Sequence, residues 1–218
     1  MTADATSHWN NVYASRPADR LTWFQRVPDV SLGLIRMSGV ALDDTVIDVG
    51  CGASTLLPTL QAQGFADLTG LDLSETALTV ARAQIDAGAP AVRWIAADVT
   101  CWQPDRQFAL WHDRAVFHFL ITDAARTAYR TTLAAALQPG GHAIIGTFAL
   151  DGPAKCSGLP VQRYSPATLA REFAEDFDWI ASRDAPHRTP TGNKQAFRFV
   201  LLRRRQANRA ASPADGGF

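Results

Sequence analysis

The chain has 218 residues, 47% of them hydrophobic, so it is long enough to bury one sizeable core. Its 21 basic and 21 acidic side chains cancel, which argues against a nucleic acid or a membrane surface as a partner. No apolar run approaches the roughly 20 residues that span a bilayer, and residues 1–7 lack the apolar segment of a signal peptide, so we expect a cytoplasmic protein. The three cysteines and five histidines show no metal-ligand spacing, and we predict no metal site.

Aromatic side chains are concentrated ahead of the first predicted strand. Trp9, Tyr13, Trp23 and Phe24 lie within residues 1–37, which we treat as an N-terminal arm. Two interpretations stay open: these side chains form a lid over a ligand pocket, or they pack as ordinary core at the edge of a sheet. Trp23 and Phe24 are the arm residues that we expect to contact a substrate.

Residues 45–49 are apolar or β-branched except for Asp48, and they are followed by Gly50-Cys51-Gly52. This pattern predicts a buried parallel strand that enters a glycine turn and then a helix. Glycine has no Cβ, so a nucleotide-like cofactor can lie against the main-chain N–H groups of such a turn. The third glycine of a dinucleotide fingerprint is absent, and Asp48 would repel a pyrophosphate. A carboxylate here suits a cationic amino-acid end, such as the ammonium of S-adenosylmethionine.

A second strand is predicted over residues 67–71, with Asp72 at its end. An acidic residue about 20 positions beyond the glycine turn meets a ribose in βαβ nucleotide sites, so we predict that Asp72 binds ribose hydroxyls. A helix cap is the alternative, but Ser74 is the better cap candidate for the helix predicted over residues 75–84.

The segment from Val46 to Gly52 resembles the first motif of class I S-adenosylmethionine-dependent methyltransferases, and the resemblance extends over residues 8–203. It implies an α/β fold, with a Rossmann-like, doubly wound sheet of seven mostly parallel strands that includes one antiparallel edge strand. This methyltransferase domain would cover residues 38–205, and we expect residues 206–218 to be a disordered tail.

The resemblance also implies which residues contact the cofactor. Asp98 would accept a hydrogen bond from the adenine amino group, and the main-chain N–H of Val99 would serve a ring nitrogen. A surface aspartate that closes a strand is the alternative for Asp98. The predicted cofactor-binding residues are Asp48, Gly50, Cys51, Gly52, Asp72, Leu73, Asp98, Val99 and His112.

The segment that follows the fourth predicted strand, residues 108–111, carries His112, Asp113 and His118. The carboxyl ends of parallel strands face the ligand in open α/β sheets, so His112, Asp113 and Arg114 should arrive near the transferred methyl group. We predict catalytic roles for Asp113 and His118, in positioning the acceptor or in assisting its deprotonation. A buried histidine in a short apolar helix is the alternative for His118.

Residues 151–164 form a loop rich in Gly and Pro, of the kind that often sets substrate selectivity. Arg163 could hold an anionic substrate group with its planar guanidinium, and Cys156 and Tyr164 could line a pocket. A solvated surface loop is the alternative. The remaining predicted elements are helices at residues 122–137 and 166–177 and strands at residues 92–96, 142–148, 179–182 and 196–202.

We therefore predict an enzyme that moves a methyl group from S-adenosylmethionine to a nucleophilic S, N or O atom of a small-molecule acceptor. Such a reaction requires alignment and exclusion of water, and the cofactor carries the activation. One alternative is a protein-lysine N-methyltransferase, because the Trp9, Tyr13 and Trp23-Phe24 arrangement looks like the arm of certain members of that class. The others are a catalytically silent S-adenosylmethionine-binding module and, more distantly, a nicotinamide dehydrogenase.

Overall fold

The computed structural model describes residues 3–206. Its helices are α1 (Ala3–Ser15), α2 (Asp29–Ser38), α3 (Leu56–Ala62), α4 (Glu75–Arg82), α5 (Asp123–Ala136) and α6 (Pro166–Glu172). Its strands are β1 (Thr45–Val49), β2 (Asp67–Asp72), β3 (Arg93–Ala96), β4 (Phe108–Arg114), β5 (Leu137–Phe148), β6 (Lys155–Cys156), β7 (Leu159–Pro160), β8 (Phe177–Arg188) and β9 (Lys194–Arg204). Among these residues, no helix is both long enough and apolar enough to span a membrane.

A seven-stranded sheet with the order β3-β2-β1-β4-β5-β9-β8 forms the centre of the fold. Strands β3, β2, β1, β4 and β5 pair in parallel, whereas β9 is antiparallel to both of its neighbours. The predicted Rossmann-like, mostly parallel sheet is confirmed. The antiparallel strand lies one position inside the edge, because β9 pairs with β5 and leaves β8 outermost.

The last two strands are longer than predicted. They form a hairpin over Phe177–Arg188 and Lys194–Arg204, and residues 183–188, which follow the strand predicted over residues 179–182, belong to β8. Polar residues are tolerated there because much of an edge strand is exposed to solvent, so the apolar pattern underestimates its length.

Side chains alternate between two hydrophobic cores along the central strands, as the pleat requires. Val46 and Leu110 point into the core shared with α2 and α3, whereas Ile47 and Trp111 point into the core shared with α5 and α6. The same alternation places Asp48 and His112 on the α2 and α3 side and Asp113 on the opposite side.

The N-terminal arm packs against the sheet domain through main-chain and side-chain contacts. The carbonyl of Trp23 accepts a hydrogen bond from Nη1 of Arg114 at 2.8 Å, and the carbonyl of Gln25 accepts one from Oγ1 of Thr55 at 3.0 Å. In α1, Oδ1 of Asn10 accepts a hydrogen bond from the hydroxyl of Ser74 at 2.7 Å. The arm therefore lies over the carboxyl ends of the parallel strands.

Candidate functional site

The glycine turn after β1 has a backbone that only glycine accommodates easily. Gly50 has a φ of 63° and Gly52 a φ of 48°, both in the left-handed region. A Cβ on Gly50 would collide with Val116, and a Cβ on Gly52 would collide with the hydroxyl of Tyr13. The turn is thus bare of side chains on the side that faces the arm.

Asp72 lies at the end of β2 and holds the glycine turn. Its Oδ2 accepts a hydrogen bond from the N–H of Gly52 at 2.9 Å, and its Oδ1 accepts one from the N–H of Ser74 at 2.8 Å. Burial raises the pKa of the Asp72 carboxyl to about 6, against the lowering effect of these N–H donors. Ser74 caps α4 by accepting from Ala77 N–H, as predicted, so Asp72 is not needed as the cap.

Asp48 and His112 form a buried polar chain beneath the turn. Oδ1 of Asp48 lies 2.7 Å from Nδ1 of His112, and Nε2 of His112 lies 2.8 Å from the hydroxyl oxygen of Ser31. Oδ2 of Asp48 is buried and has no hydrogen-bond partner within residues 3–206. Buried acceptors are almost always paired, so this oxygen is suited to a donor supplied by a ligand. An ammonium group matches that requirement.

A cavity of about 90 Å³ lies between the glycine turn and the arm. Its aromatic wall comes from Trp9, Tyr13, Trp23, Phe119 and Phe197. The ring of Trp9 packs edge-on against Trp23 at a centroid distance of 5.8 Å and against Phe119 at 5.3 Å. These contacts close the cavity on the side of the arm.

The structure brings most of the predicted cofactor residues to this cavity. Gly52 borders it through its contact with Tyr13. Asp98 stands outside the lining, and its Oδ1 accepts hydrogen bonds from the N–H and the hydroxyl of Thr100. Phe24 lines a smaller neighbouring cavity. The predicted residues that line the main cavity are Asp48, Gly50, Cys51, Asp72, Leu73, Val99, His112 and Trp23.

Asp113, predicted to be catalytic, is directed away from the cavity. Its Oδ1 accepts from the N–H of Val116 at 2.8 Å, and its Oδ2 accepts from the N–H of Phe117 at 3.1 Å and from the hydroxyl of Tyr129 at 2.6 Å. Burial raises the pKa of this carboxyl to about 6. The geometry favours a structural role, because strand alternation puts Asp113 on the face opposite to His112.

His118, the other predicted catalytic residue, is a buried ring of the core, the alternative that its apolar surroundings suggested. It packs against Phe119 and Phe148 at centroid distances of 4.5 and 4.8 Å and does not line the cavity. Burial, together with the charge of Arg114, lowers the pKa of His118 to about 3, so the imidazole is neutral near pH 7. Its position therefore gives no support to a role as a base.

Of the loop residues, neither Arg163 nor Tyr164 reaches the cavity. Arg163 is exposed and donates from Nη1 to the carbonyls of Leu150 and Gly152 at 2.9 and 3.2 Å. Tyr164 is buried in the core against Phe117, at a centroid distance of 5.8 Å. The loop instead folds into the short β6–β7 hairpin, which brings Cys156 to the cavity.

Two residues of the site, Ser31 and Phe197, were not predicted from the sequence. Ser31 reaches His112 from α2, and Phe197 reaches the cavity from β9; both contacts are distant in sequence and leave no local signal. Arg114, which we expected near the transferred methyl group, lines the cavity. It follows His112 by two positions on β4 and therefore lies on the same face of the strand.

Comparison with known proteins supports an enzymatic site. Residues 46–141 match the family model described as a methyltransferase domain. A protein studied for the conversion of a disulfide bond into a thioacetal group during echinomycin biosynthesis is 25% identical, with a TM-score of 0.73 and coverage of 94% of each chain. A search of curated proteins gives no match.

Two more distant structures share the fold. The N-methyltransferase NodS from Bradyrhizobium japonicum WM9, in complex with S-adenosyl-L-homocysteine, is 18% identical with a TM-score of 0.69, covering 90% of this chain and 98% of its own. The 1,6-didemethyltoxoflavin-N1-methyltransferase from Burkholderia thailandensis is 21% identical with a TM-score of 0.66, covering 93% and 85%.

The sheet order and the bare glycine turn define a Rossmann-like methyltransferase domain. Residues 46–141 match a methyltransferase domain, and the fold is shared with S-adenosylmethionine-dependent methyltransferases, which agrees with the class I family and the cofactor predicted from the sequence. The family predicted from the sequence is thereby confirmed.

Proposed function

We propose that the chain binds S-adenosylmethionine between the glycine turn and the arm and transfers its methyl group to an S, N or O atom of a small-molecule acceptor. The observation that carries this proposal is the combination of a bare turn, the unpaired Oδ2 of Asp48 and the buried Asp72 around one cavity. Asp48 would hold the cofactor's ammonium and Asp72 its ribose hydroxyls, with Asp98 and Val99 at the adenine.

When bound, S-adenosylmethionine supplies an electrophilic methyl group. The side chains of this domain have the tasks of holding the two reactants in line and excluding water. The aromatic residues Trp9, Trp23 and Phe119 are suited to the second task, because they cover the cavity with apolar surface.

The arm, residues 1–37, would act as a lid on the domain of residues 38–205. Pockets for molecules of cofactor size measure roughly 300–1,000 Å³, whereas the cavity beneath the arm measures about 90 Å³. The hydroxyl of Tyr13 lies directly against Gly52, where the cofactor would contact the turn. Binding would therefore require the arm to move outward and to settle again over the ligand.

A small acceptor is favoured over a protein lysine by the enclosed aromatic wall of the cavity. The similar structures point the same way: one is a toxoflavin-precursor methyltransferase with that small molecule bound, and another is a magnesium protoporphyrin IX methyltransferase. No protein substrate is named among these relatives.

The cytoplasmic location stays a prediction. The tail that we expect to be disordered, residues 206–218, lies outside the described residues except for Gln206.

The test is transfer of label from methyl-labelled S-adenosylmethionine to a cell extract separated into a small-molecule fraction and a protein fraction. We expect label in the small-molecule fraction, absent with the variant Gly50→Ala. Label in the protein fraction alone would indicate a protein acceptor. Calorimetric binding of S-adenosylmethionine without transfer to either fraction would favour a silent binding module, and binding of NAD in its place would favour a dehydrogenase.

A further inference from the structure

The cavity contains a buried cation that the proposed methyl transfer does not use. Arg114, the last residue of β4, donates from Nη1 to the carbonyl of Trp23 at 2.8 Å. Its Nε and Nη2 atoms are buried and have no hydrogen-bond partner within residues 3–206. No ion pair of Arg114 occurs in that part of the chain either.

The two unpaired atoms lie on one edge of the guanidinium. Nε–H and the adjacent Nη2–H point in parallel, which is the edge that binds both oxygens of a carboxylate. The opposite edge is held by Trp23, and the face is held by the ring of Phe197, with Cζ 4.7 Å from the ring centroid. These contacts fix the direction of the free edge before any ligand is present.

The guanidinium remains charged at neutral pH. Burial lowers the pKa of Arg114 to about 10, so it stays protonated near pH 7. Asp48 attracts it at longer range, but the Oδ1 of Asp48 is bonded to His112, and no ion pair joins the two residues. An unpaired buried charge is costly, and a bound anion would offset that cost.

The position of Arg114 separates it from the nucleoside part of the cofactor. The predicted ribose and adenine contacts, Asp72 and Val99, lie at the β2 and β3 end of the sheet. Arg114 is packed against Phe197 of β9, which lies on the other side of β4, and Cys156 lines the same cavity. The free edge therefore serves the half of the cavity that is remote from the nucleoside. The amino-acid end of the cofactor, whose ammonium we assign to Asp48, also lies in this half, but Phe197 and Cys156 place Arg114 on its β9 side, beyond β4 from Asp48.

We propose that Arg114 binds a carboxylate of the methyl acceptor through Nε and Nη2, so that the acceptors of this enzyme are small carboxylic acids. This inference rests on the proposed function, since it assigns the acceptor half of the same cavity. The aromatic wall of Trp9, Trp23 and Phe119 suits acids that also carry an apolar or aromatic body. Arg163, the arginine that the sequence suggested for this role, lies on the surface.

The direct test follows the Nε–H signal of Arg114 in proton–nitrogen correlation spectra of the complex with S-adenosylhomocysteine. The signal is identified by its loss in Arg114→Gln, with Arg163→Gln as the matched control. Formate, acetate and benzoate are titrated, with benzamide as the uncharged partner of benzoate. We expect saturable shifts with the carboxylates and none with benzamide. Calorimetric titration of benzoate, which does not depend on the Arg114 signal, should show a loss of affinity of about 10- to 100-fold in Arg114→Gln only.

Calorimetry with S-adenosylhomocysteine and with methylthioadenosine, which lacks the amino-acid end, separates the two sources of a carboxylate. We expect Arg114→Gln to bind both as the parent protein does. A loss of about tenfold or more for S-adenosylhomocysteine alone would assign the guanidinium to the cofactor and overturn the inference. An Arg114 signal that no carboxylate shifts would also overturn it.

Failure of the proposed function has a different signature, namely that the parent protein does not bind S-adenosylhomocysteine. The titration is therefore repeated on the ligand-free protein. A carboxylate shift there would support Arg114 as an anion-binding residue even in that case, and its absence in both forms would overturn it.

Discussion

Nδ1 of His112 lies 2.7 Å from Oδ1 of Asp48, and the two residues are direct partners on the adjacent strands β4 and β1. This contact occupies one carboxylate oxygen and leaves Oδ2 unpaired. His112 is in turn held by Ser31, so the orientation of the carboxylate is set before a ligand arrives. His112 is thus a positioning residue for Asp48.

We expect Asp48→Asn to weaken S-adenosylhomocysteine binding by about 1.5–3 kcal/mol, the range for a hydrogen bond to a charged group. Methylthioadenosine lacks the ammonium, so its affinity should be unchanged. Calorimetry with both ligands makes the comparison. Ser31→Ala keeps the Asp48 carboxylate and removes only the contact that holds His112, so its effect on S-adenosylhomocysteine affinity should be smaller than that of Asp48→Asn. Equal losses for the two ligands would show that Asp48 supports the turn and does not bind the amino-acid end.

Cofactor affinity should depend on pH through Asp72. Burial raises its pKa from 3.8 to about 6 in the ligand-free protein, so the carboxyl takes up a proton as the pH falls through 6. Ribose hydroxyls donate best to the ionised form, and affinity for S-adenosylhomocysteine should fall by about tenfold between pH 7 and pH 5. Calorimetry across this range measures the effect.

The variant Asp72→Asn should be weaker at pH 7 and nearly flat with pH, because the titrating group is gone. Asp113 has a similarly raised pKa, but its carboxyl lies outside the cavity and titrates alike with and without ligand. A pH dependence that survives in Asp72→Asn would assign it to another group.

Alanine substitutions at Gly50 and Gly39 distinguish the cost of backbone strain from the loss of cofactor binding. Gly50 and Gly39 both have left-handed φ angles, 63° and 74°, so alanine at either should cost about 1–2 kcal/mol of folding free energy. A Cβ at Gly39 meets nothing within 4 Å, whereas one at Gly50 collides with Val116. We expect Gly50→Ala to lose S-adenosylhomocysteine binding and Gly39→Ala to keep it. Denaturant titration measures the folding free energy and calorimetry the affinity for S-adenosylhomocysteine. Equal affinities of the two variants would show that the glycine turn does not contact the cofactor.

The grouping of Asp48, Gly50 and Asp72 around one cavity could be predicted from sequence because its signals are local. A strand that ends in Gly-x-Gly and a second strand that ends in Asp72 are both patterns of a few residues, and topology brings them together at one edge. For strand β4, a local sequence pattern does not decide which side chains face the ligand. Whether Asp113 or its neighbours His112 and Arg114 face the ligand depends on the phase of β4, which the flanking helices set.

Site residues that come from distant segments of the chain could not be predicted from the sequence. Ser31 and Phe197 enter the site by packing of α2 and β9, and no spacing between residues predicts these contacts. Arg163 carries a suitable chemical group, yet the main-chain carbonyls of Leu150 and Gly152 hold its side chain at the surface. For these three residues, the chemical type of the side chain indicates a role only once the fold shows where the side chain lies.

The arm should respond to the ligand. Helix α1 lies over the turn, with the hydroxyl of Tyr13 against Gly52, so bound S-adenosylhomocysteine must displace or re-form this contact. We expect amide hydrogen exchange in residues 8–30 to slow on addition of ligand, as the aromatic side chains close over it. The control segment is α5, which does not line the cavity and should be unchanged. Identical exchange in the arm with and without ligand would assign its aromatic residues to static core.

The structural role of Asp113 predicts a loss of stability without a loss of cofactor binding. Asp113→Ala removes the acceptor for three buried donors, on Val116, Phe117 and Tyr129. Each unsatisfied donor costs about 1–3 kcal/mol, so the free energy of unfolding should fall by about 3 kcal/mol or more. Denaturant titration measures it, and Asp113→Asn, which keeps one acceptor oxygen, should lose less. Asp105→Ala on the surface should cause no comparable loss.

The pH dependence of this loss has a defined sign. The pKa of Asp113 is raised from 3.8 to about 6 by burial, so the folded protein binds the proton more tightly than the unfolded chain. The contribution of the side chain to stability is therefore greatest at acidic pH and decreases as the pH rises through this window. The difference in unfolding free energy between the parent protein and Asp113→Ala should shrink accordingly between pH 4 and pH 6. A folded Asp113→Asn variant with unchanged stability and a strongly reduced kcat would instead restore a catalytic role for this residue.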